Sequence, residues 1–331
     1  MRIAVIGVGA MGSVYGGHLS QYNEVILVDT NKMVVDQITA NGLLIDEDGM
    51  TACYHPAAYS DTTDEKPADL VILFVKALFS RNALENNRSL IGPDTRLLTL
   101  QNGAGHEELL KEFVSEDRIL IGTTEDNGAV LEPGHVRRGG TGITNIGMLN
   151  GNRDGFLEHL KENFGRCGFE VRIHGNIQYL IWDKLFTNVS LSALTGILQV
   201  DMGYIGANEY AWNLCCQLIH EAVMTAEAAG LVFDEKAVIE KVKKVSVNNP
   251  SGCTSIRADL FYPQLGVKLC SMAGGGVQKI YMVFLREPSR RDRSGSDLFH
   301  LRDGFEIKMN FDRNVSCFIF VNAFMHDYFF D

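Results

Sequence analysis

The sequence has no apolar run approaching the roughly 18 residues that a membrane-spanning helix requires, so no spanning segment is expected. No leader peptide is expected, because the chain enters a strand-like run at once, and a cytoplasmic protein is the expectation. No Cys-x-x-Cys pair occurs. The seven cysteines, at positions 53, 167, 215, 216, 253, 270 and 317, are odd in number and read as reduced, buried thiols. Nothing in their spacing suggests a metal site. Positive charge is in deficit, with 30 Lys and Arg against 41 Asp and Glu and a net charge of −11, which argues against nucleic acid as the main partner. A charged share of 21% beside a hydrophobic share of 46% describes a globular chain and excludes intrinsic disorder. At 331 residues two domains with their own cores are expected. Oligomeric state is not written in the composition, and a homodimer stays open.

What is present begins at residue 3. The run Ile-Ala-Val-Ile reads as a buried strand and breaks into Gly7-x-Gly9-x-x-Gly12, after which residues 10–20 follow a helical pattern. Gly7 permits the tight turn, Gly9 lets the backbone approach a pyrophosphate, and Gly12 lets helix and strand pack closely. The residues between them, Val8, Ala10 and Met11, join the candidate cofactor loop, since the helix start directs its amides at phosphates. A second strand, 24–28, ends at Asp29, where a carboxylate would accept the ribose hydroxyls of a dinucleotide.

Further strands are expected at 70–75, 96–100, around 119–121 and at 144–148, with a helix at 33–41. Such alternation predicts a Rossmann-like, doubly wound parallel sheet over residues 1–175. Beyond residue 175 the segments 179–198, 209–229 and 235–247 carry helical periodicity with no convincing strand between them. Residues 176–331 are therefore expected to form a mostly α-helical second domain, with 285–331 as an atypical tail. The crevice between two such domains is the default place for an active site.

Three more segments carry chemistry. Asn102, in Leu100-Gln-Asn-Gly-Ala-Gly-His106, follows a sheet strand, where open α/β sheets bind ligands; a ligand-free Asn-Gly turn is the alternative. Lys76 places a cation just past another strand end, near the expected phosphates, or is simply solvated. Lys184, Asn188 and Ser192 stand at i, i+4 and i+8 of an otherwise apolar helix (Trp182, Leu185, Phe186, Val189, Leu191, Leu194), so this polar stripe faces either water or a ligand. If the ligand is a ketone, hydride arrival creates an alkoxide that a nearby ammonium can stabilise and protonate.

Taken together, the glycine motif, the Asn102-Gly103 loop and the Lys184–Asn188 helix resemble the ketopantoate reductases (2-dehydropantoate 2-reductases). Order and spacing match over roughly residues 1–260, and the resemblance is lost after residue 279. The stretch Thr254-Ser255-Ile-Arg-Ala-Asp259-Leu260 looks like that family's Ser-Met-x-x-Asp-Leu segment. The resemblance implies a cytoplasmic oxidoreductase of pantothenate biosynthesis that binds NADPH, with NADH as the other candidate, and a 2-oxo acid. It also implies roles: Gly7, Gly9 and Gly12 for the cofactor, Asn102 for cofactor and substrate, Lys184 as general acid, and Asn188 and Ser255 for substrate. Lys76 matches a lysine common in the family after the third strand. Physics and resemblance disagree on one point. Asp29 would repel the 2′-phosphate of NADPH, and Lys32 could offset it.

Two departures stand out. The family's second asparagine, eight residues after the lysine, is Ser192 here, whose hydroxyl still makes one bond. The family's later glutamate aligns with Lys268, and no glutamate occurs between Glu240 and Glu287. Like charges nearby would make Lys184 a poorer acid if Lys268 lines the site. Pro263 and Gly266 should interrupt a helix, leaving an irregular segment at 261–270. The five arginines of 286–302 and the aromatic stretch after residue 311 suggest a loosely packed tail; a basic surface tail and a displaced reading frame both account for it. Alternative functions are a reductase of another oxo acid and a dinucleotide-binding relative without catalysis.

Overall fold

The computed structural model describes residues 1–151, 155–254 and 256–257, with five short strands between 270 and 320. The chain divides into two units, Met1–Ile181 and Trp182–Asp331. The first unit runs β1 (Arg2–Ile6), α1 (Ala10–Leu19), β2 (Glu24–Val28), α2 (Lys32–Asn41), β3 (Leu43–Glu47), β4 (Met50–Tyr54), β5 (Ala57–Tyr59) and β6 (Leu70–Leu73). It continues through α3 (Ser80–Asn86), β7 (Arg96–Thr99), α4 (His106–Leu110), β8 (Ile119–Thr124), β9 (Asn127–Glu132), β10 (His135–Gly140), β11 (Ile143–Met148), α5 (Gly155–Arg166) and β12 (Glu170–Ile173).

Eight strands form the main sheet, in the order β12-β11-β8-β7-β6-β1-β2-β5. Its central strands β1, β2, β6 and β7 are apolar and buried almost throughout, as a parallel sheet covered on both faces demands. Strand order reverses at β1, with β2 on one side and β6 on the other. The doubly wound parallel sheet expected from sequence holds except at one place: β11 runs antiparallel to β8, Thr144 opposite Thr124. The chain between them forms β9 and β10 instead of a helix, and without a helical crossover it re-enters the sheet in the opposite direction. Those two strands join β3 and β4 in a second sheet, order β4-β3-β10-β9, which the sequence pattern did not announce.

Helix α1 lies between the sheets, and every residue from Gly12 to Leu19 is buried. Gly16 faces Leu27 of β2 while Gly17 faces Ile45 of β3; a Cβ at either would come within 2.3 or 2.6 Å of those side chains. A buried polar cluster fastens these layers. The Tyr15 hydroxyl bonds Thr124 Oγ1 at 3.0 Å and Thr144 Oγ1 at 2.6 Å. The Arg138 guanidinium bridges Asp126 Oδ1 at 2.5 Å and Glu47 Oε1 at 2.8 Å, and His18 Nε2 lies 3.0 Å from Glu47 Oε2. Burial pushes the Tyr15 phenol well above its ordinary range, so it stays a neutral donor.

In the second unit, α6 (Gln178–Thr187) crosses the division and runs into a π-helical turn, Asn188–Ser192, followed by α7 (Ala193–Leu198). Then come α8 (Met202–Ala207), α9 (Glu209–Ala228) and α10 (Glu235–Asn248). Asn208 and Asp234 cap α9 and α10 by accepting from backbone amides of their first turns. The inner face of α9 carries Cys215, Ile219, Ala222, Val223 and Ala226, the i, i+4, i+7, i+8 spacing of a core stripe. Phe186 of α6 meets Phe233 edge-on with centroids 4.8 Å apart.

The expectation of a mostly helical second domain therefore holds with α6–α10, and short strands follow from residue 270. There β13 (Cys270–Met272) pairs with β14 (Ile280–Met282), and β15 (Leu298–Leu301), β16 (Phe305–Asn310) and β17 (Phe318–Phe320) form an antiparallel sheet. Residues 305–310 alternate apolar and polar (Phe305, Ile307, Met309 against Glu306, Lys308, Asn310), the period of a strand. Ser255, Pro263, Gly266 and Lys268, and with them the expected irregular segment up to residue 269, lie outside the described residues. The cysteine expectation is corrected in part. Cys167 and Cys215 are buried, with their thiols pushed up to about 11 and about 12 by burial, but Cys53 and Cys253 are exposed. Among the described residues no helix is long and apolar enough to cross a membrane, and no cluster could hold a metal ion.

Candidate active site

The glycine turn separates into glycines the fold needs and one it does not. Gly7 has φ +99°, and a Cβ there would lie 2.6 Å from the amide nitrogen of Val75. At Gly12 a Cβ would sit 1.8 Å from the carbonyl oxygen of Gly7. Gly9 is different: its φ is an ordinary −76°, it is exposed, and a Cβ would meet nothing within 4 Å. Neither strain nor a protein neighbour requires glycine at that point. The requirement fits a group that is not protein, a pyrophosphate pressed against the backbone at the start of α1. Ala10 and Met11 open that helix, whose first intrahelical bond runs from Ser13 N to Gly9 O at 2.9 Å, so the amides before Ser13 have no intrahelical acceptor. No acidic side chain occupies the first turn to repel a phosphate.

Asp29 closes β2 beside this turn. Its Oδ2 accepts from Val8 N at 2.7 Å and its Oδ1 from Asn31 N at 2.8 Å. Lys32 begins α2 three residues on and is exposed. Lys76, half-buried, precedes a short 3-10 turn, Ala77–Phe79, whose last amide donates to the Lys76 carbonyl at 2.8 Å. Asn102 follows β7 and is itself exposed, on a loop shaped by positive φ at Gly103 (+108°) and Gly105 (+88°), and its carbonyl lies 3.1 Å from His106 Nε2. The first unit thus gathers all its sequence-predicted residues at the C-terminal ends of β1, β2, β6 and β7. Sequence reasoning missed Gln101, whose side chain joins two of these loops.

In the second unit, Lys184 is exposed near the end of α6, Asn188 is half-buried at the start of the π turn, and Ser192 is buried at its end. The stripe read from spacing therefore passes from solvent into the core. The π turn is visible in the bond from Ala193 N to Asn188 O, five residues back; such single turns recur at functional sites. Ser190 Oγ donates to Phe186 O at 2.6 Å, which satisfies the hydroxyl locally. The Ser192 carbonyl accepts from Thr195 Oγ1 at 2.9 Å, and Thr195 bonds Thr254 at 2.7 Å, so the residue preceding Ser255 is fastened beside the turn. Asp183, next to Lys184, pairs with Lys241 of α10 and leaves the α6 face fixed to α10.

Comparison with known proteins shows the family. The ketopantoate reductase PanE/ApbA family pattern matches residues 3–151, and its C-terminal counterpart matches residues 176–263. The chain is 32% identical over 263 residues to a 2-dehydropantoate 2-reductase of Halobacterium salinarum, covering 78% of this chain and 86% of the relative. It is 34% identical over 236 residues to a 2-dehydropantoate 2-reductase of Pyrococcus horikoshii, covering 71% and 76%. Among solved structures, a D-mandelate dehydrogenase with NADH and anilino(oxo)acetate is similar at TM-score 0.73 and 30% identity, covering 80% of this chain and 86% of that one. With both of its units matched, the chain belongs to the ketopantoate reductase PanE/ApbA family.

Proposed function

We propose that this chain reduces a small 2-oxo acid to its 2-hydroxy acid with a nicotinamide dinucleotide, 2-dehydropantoate to (R)-pantoate being the first candidate. On this reading it works in pantothenate and coenzyme A biosynthesis. The observation that carries the reading is the pair Lys184 and Asn188, an ammonium and an amide held one turn apart where α6 passes into the π turn. The dinucleotide, when bound, supplies a hydride to the carbonyl carbon. Gly7–Gly12 hold its pyrophosphate, Asp29 its adenosine ribose, and Lys76 and Asn102 its remaining length. Lys184 stabilises the charge growing on the carbonyl oxygen and gives it a proton. Asn188 and Asn102 orient the substrate, with the hydroxyls of Ser192 and Ser255 as further partners for its polar groups.

On cofactor choice the reading departs from what the resemblance implies. Asp29 is held by two backbone amides at the end of β2, a placement suited to ribose hydroxyls and unfavourable to a 2′-phosphate. We therefore place NADH ahead of NADPH. A second substrate reading, a bulkier aryl 2-oxo acid, is favoured by the similarity to D-mandelate dehydrogenase. The test is turnover of the purified chain with NADH and NADPH over 2-dehydropantoate, the 2-oxo acid of mandelate and smaller 2-oxo acids. Highest kcat/KM with 2-dehydropantoate supports the first reading, and highest with the aryl acid supports the second. Cofactor binding without turnover of any oxo acid overturns both in favour of a binding protein.

A further inference from the structure

Gln101 follows β7, and its side-chain amide is used at both ends. Nε2 donates to the Val75 carbonyl at 2.5 Å and to Ser80 Oγ at 2.8 Å, while Oε1 accepts from Thr99 Oγ1 at 2.9 Å. A carbonyl can only accept, so Val75 fixes which way the amide faces. Val75 immediately precedes Lys76, and Gln101 immediately precedes Asn102. The strands themselves need no such tie, since β6 and β7 are already paired from Leu70 with Arg96 to Leu73 with Thr99. The glutamine acts beyond the end of that pairing, on the two loops alone. Ser80, 1% exposed, gives it a rigid anchor at the start of α3.

We propose that Gln101 is a positioning residue for the nicotinamide half of the dinucleotide, setting the separation of the Lys76 and Asn102 loops. Sheet order distinguishes the two halves: Asp29 ends β2 on one side of β1, whereas Lys76 and Asn102 follow β6 and β7 on the other. A dinucleotide across this reversal lays its adenosine half toward β2 and its nicotinamide half toward β6 and β7. The adenosine half keeps anchors that do not involve Gln101, namely Gly7 N to Val28 O at 2.8 Å and Val8 N to Asp29 at 2.7 Å. The inference rests on the reading of the first unit as a nicotinamide dinucleotide site.

The test is equilibrium binding of NADH and of ADP-ribose to the full chain, to Gln101→Met, which keeps length but loses the bonds, and to Ser80→Ala. For Gln101→Met, NADH binding should weaken about tenfold, the order expected when the two of its three bonds that reach Val75 and Ser80 are lost, while ADP-ribose stays within about twofold. Ser80→Ala, which removes one bond and keeps Gln101, should show the same split at about threefold, and it carries the comparison should Gln101→Met not fold. If NADH affinity is unchanged, or both ligands weaken alike, the role of Gln101 is overturned while the dinucleotide reading stands. If the unaltered chain binds neither ligand, the dinucleotide reading fails and this inference falls with it.

Discussion

The amide of Val8 donates to Oδ2 of Asp29 at 2.7 Å, so the residue that follows β2 is fastened to the glycine turn rather than left to solvent. A 2′-phosphate brought to this position meets a like charge, at a cost of about 1–4 kcal/mol for unit charges 4 Å apart, depending on how much water remains between them. Asp29→Asn keeps an acceptor for Val8 and removes the charge. We expect this variant to shift the ratio of kcat/KM for NADPH over NADH upward by roughly tenfold or more. An unchanged ratio would mean that Asp29 does not face the 2′ position.

Lys184 is expected to supply the proton. Loss of a positioned general acid typically costs about 10²–10⁴ in rate, so Lys184→Ala should lower kcat by that order with little change in dinucleotide affinity. Asn188→Ala should instead act mainly on KM for the oxo acid, because an orienting amide contributes to substrate binding. Steady-state kinetics with the preferred acid decides both. More than a third of the original kcat surviving in Lys184→Ala sinks the assignment.

Much of this site was legible because it depends on local rules. The turn after β1 needs glycine at Gly7 and Gly12 for steric reasons, and such needs appear directly as spacing. Strand β2 and helix α9 matched their sequence patterns to within a residue, since a continuous apolar run and a 3.6-residue period each have one economical fold. The rest depends on partners far away in sequence. Nothing local marks β9 and β10 as a return that reverses β11, because Val136 and Arg138 make sense only against β3, some ninety residues earlier. The π turn was invisible for a related reason: i, i+4, i+8 spacing is identical for a regular helix and for one that widens at Asn188. Gln101 was read past because a glutamine before Asn-Gly has no signature until Val75 and Ser80 are beside it.

The polar cluster under α1 sets a stability prediction. The side chain of Arg138 is 2% exposed and that of Asp126 fully buried, and the guanidinium serves both Asp126 and Glu47. Arg138→Met fills similar volume but strands a buried carboxylate. Breaking a buried pair in this way typically costs about 3–5 kcal/mol, which denaturant unfolding of the variant should show. A loss below about 1 kcal/mol would mean that water reaches Asp126.

His18, in the same cluster, gives a pH dependence. Burial holds its imidazole below its ordinary pKa, against the upward pull of Glu47, with Arg138 adding to the depression. The unfolded chain therefore takes up a proton near pH 6.5 that the folded chain refuses, and stability falls as pH drops from 7 toward 5, by at most about 1.4 kcal/mol per pH unit. His135, raised chiefly by its bond to Asp46, works in the opposite sense: its stabilisation is present at acid pH and is lost as pH rises through its folded value. Comparison of the chain with His18→Gln isolates the first effect. The variant's unfolding free energy should decline less between pH 7 and pH 5, and parallel curves would contradict the burial of a neutral imidazole.

The last expectation separates the glycines. Gly12→Ala places a methyl group 1.8 Å from the Gly7 carbonyl oxygen, a contact that backbone on both sides cannot relieve. It should destabilise the fold, by about 1–3 kcal/mol or more for an overpacked contact, and lose dinucleotide binding as a consequence. Gly9→Ala adds the same methyl group where the protein has nothing within 4 Å and where φ is ordinary for any residue. Gly9 is the N-cap of α1, where alanine is less favourable than glycine, so the variant's stability should fall by no more than about 1 kcal/mol. Its dinucleotide affinity should nevertheless fall roughly tenfold or more, because the methyl group occupies the space where the pyrophosphate meets the backbone. Thermal unfolding and NADH binding, measured on both variants, distinguish the two roles. Should Gly9→Ala bind NADH as tightly as the original chain, the pyrophosphate does not lie over Gly9, and the cofactor placement proposed for the first unit is wrong.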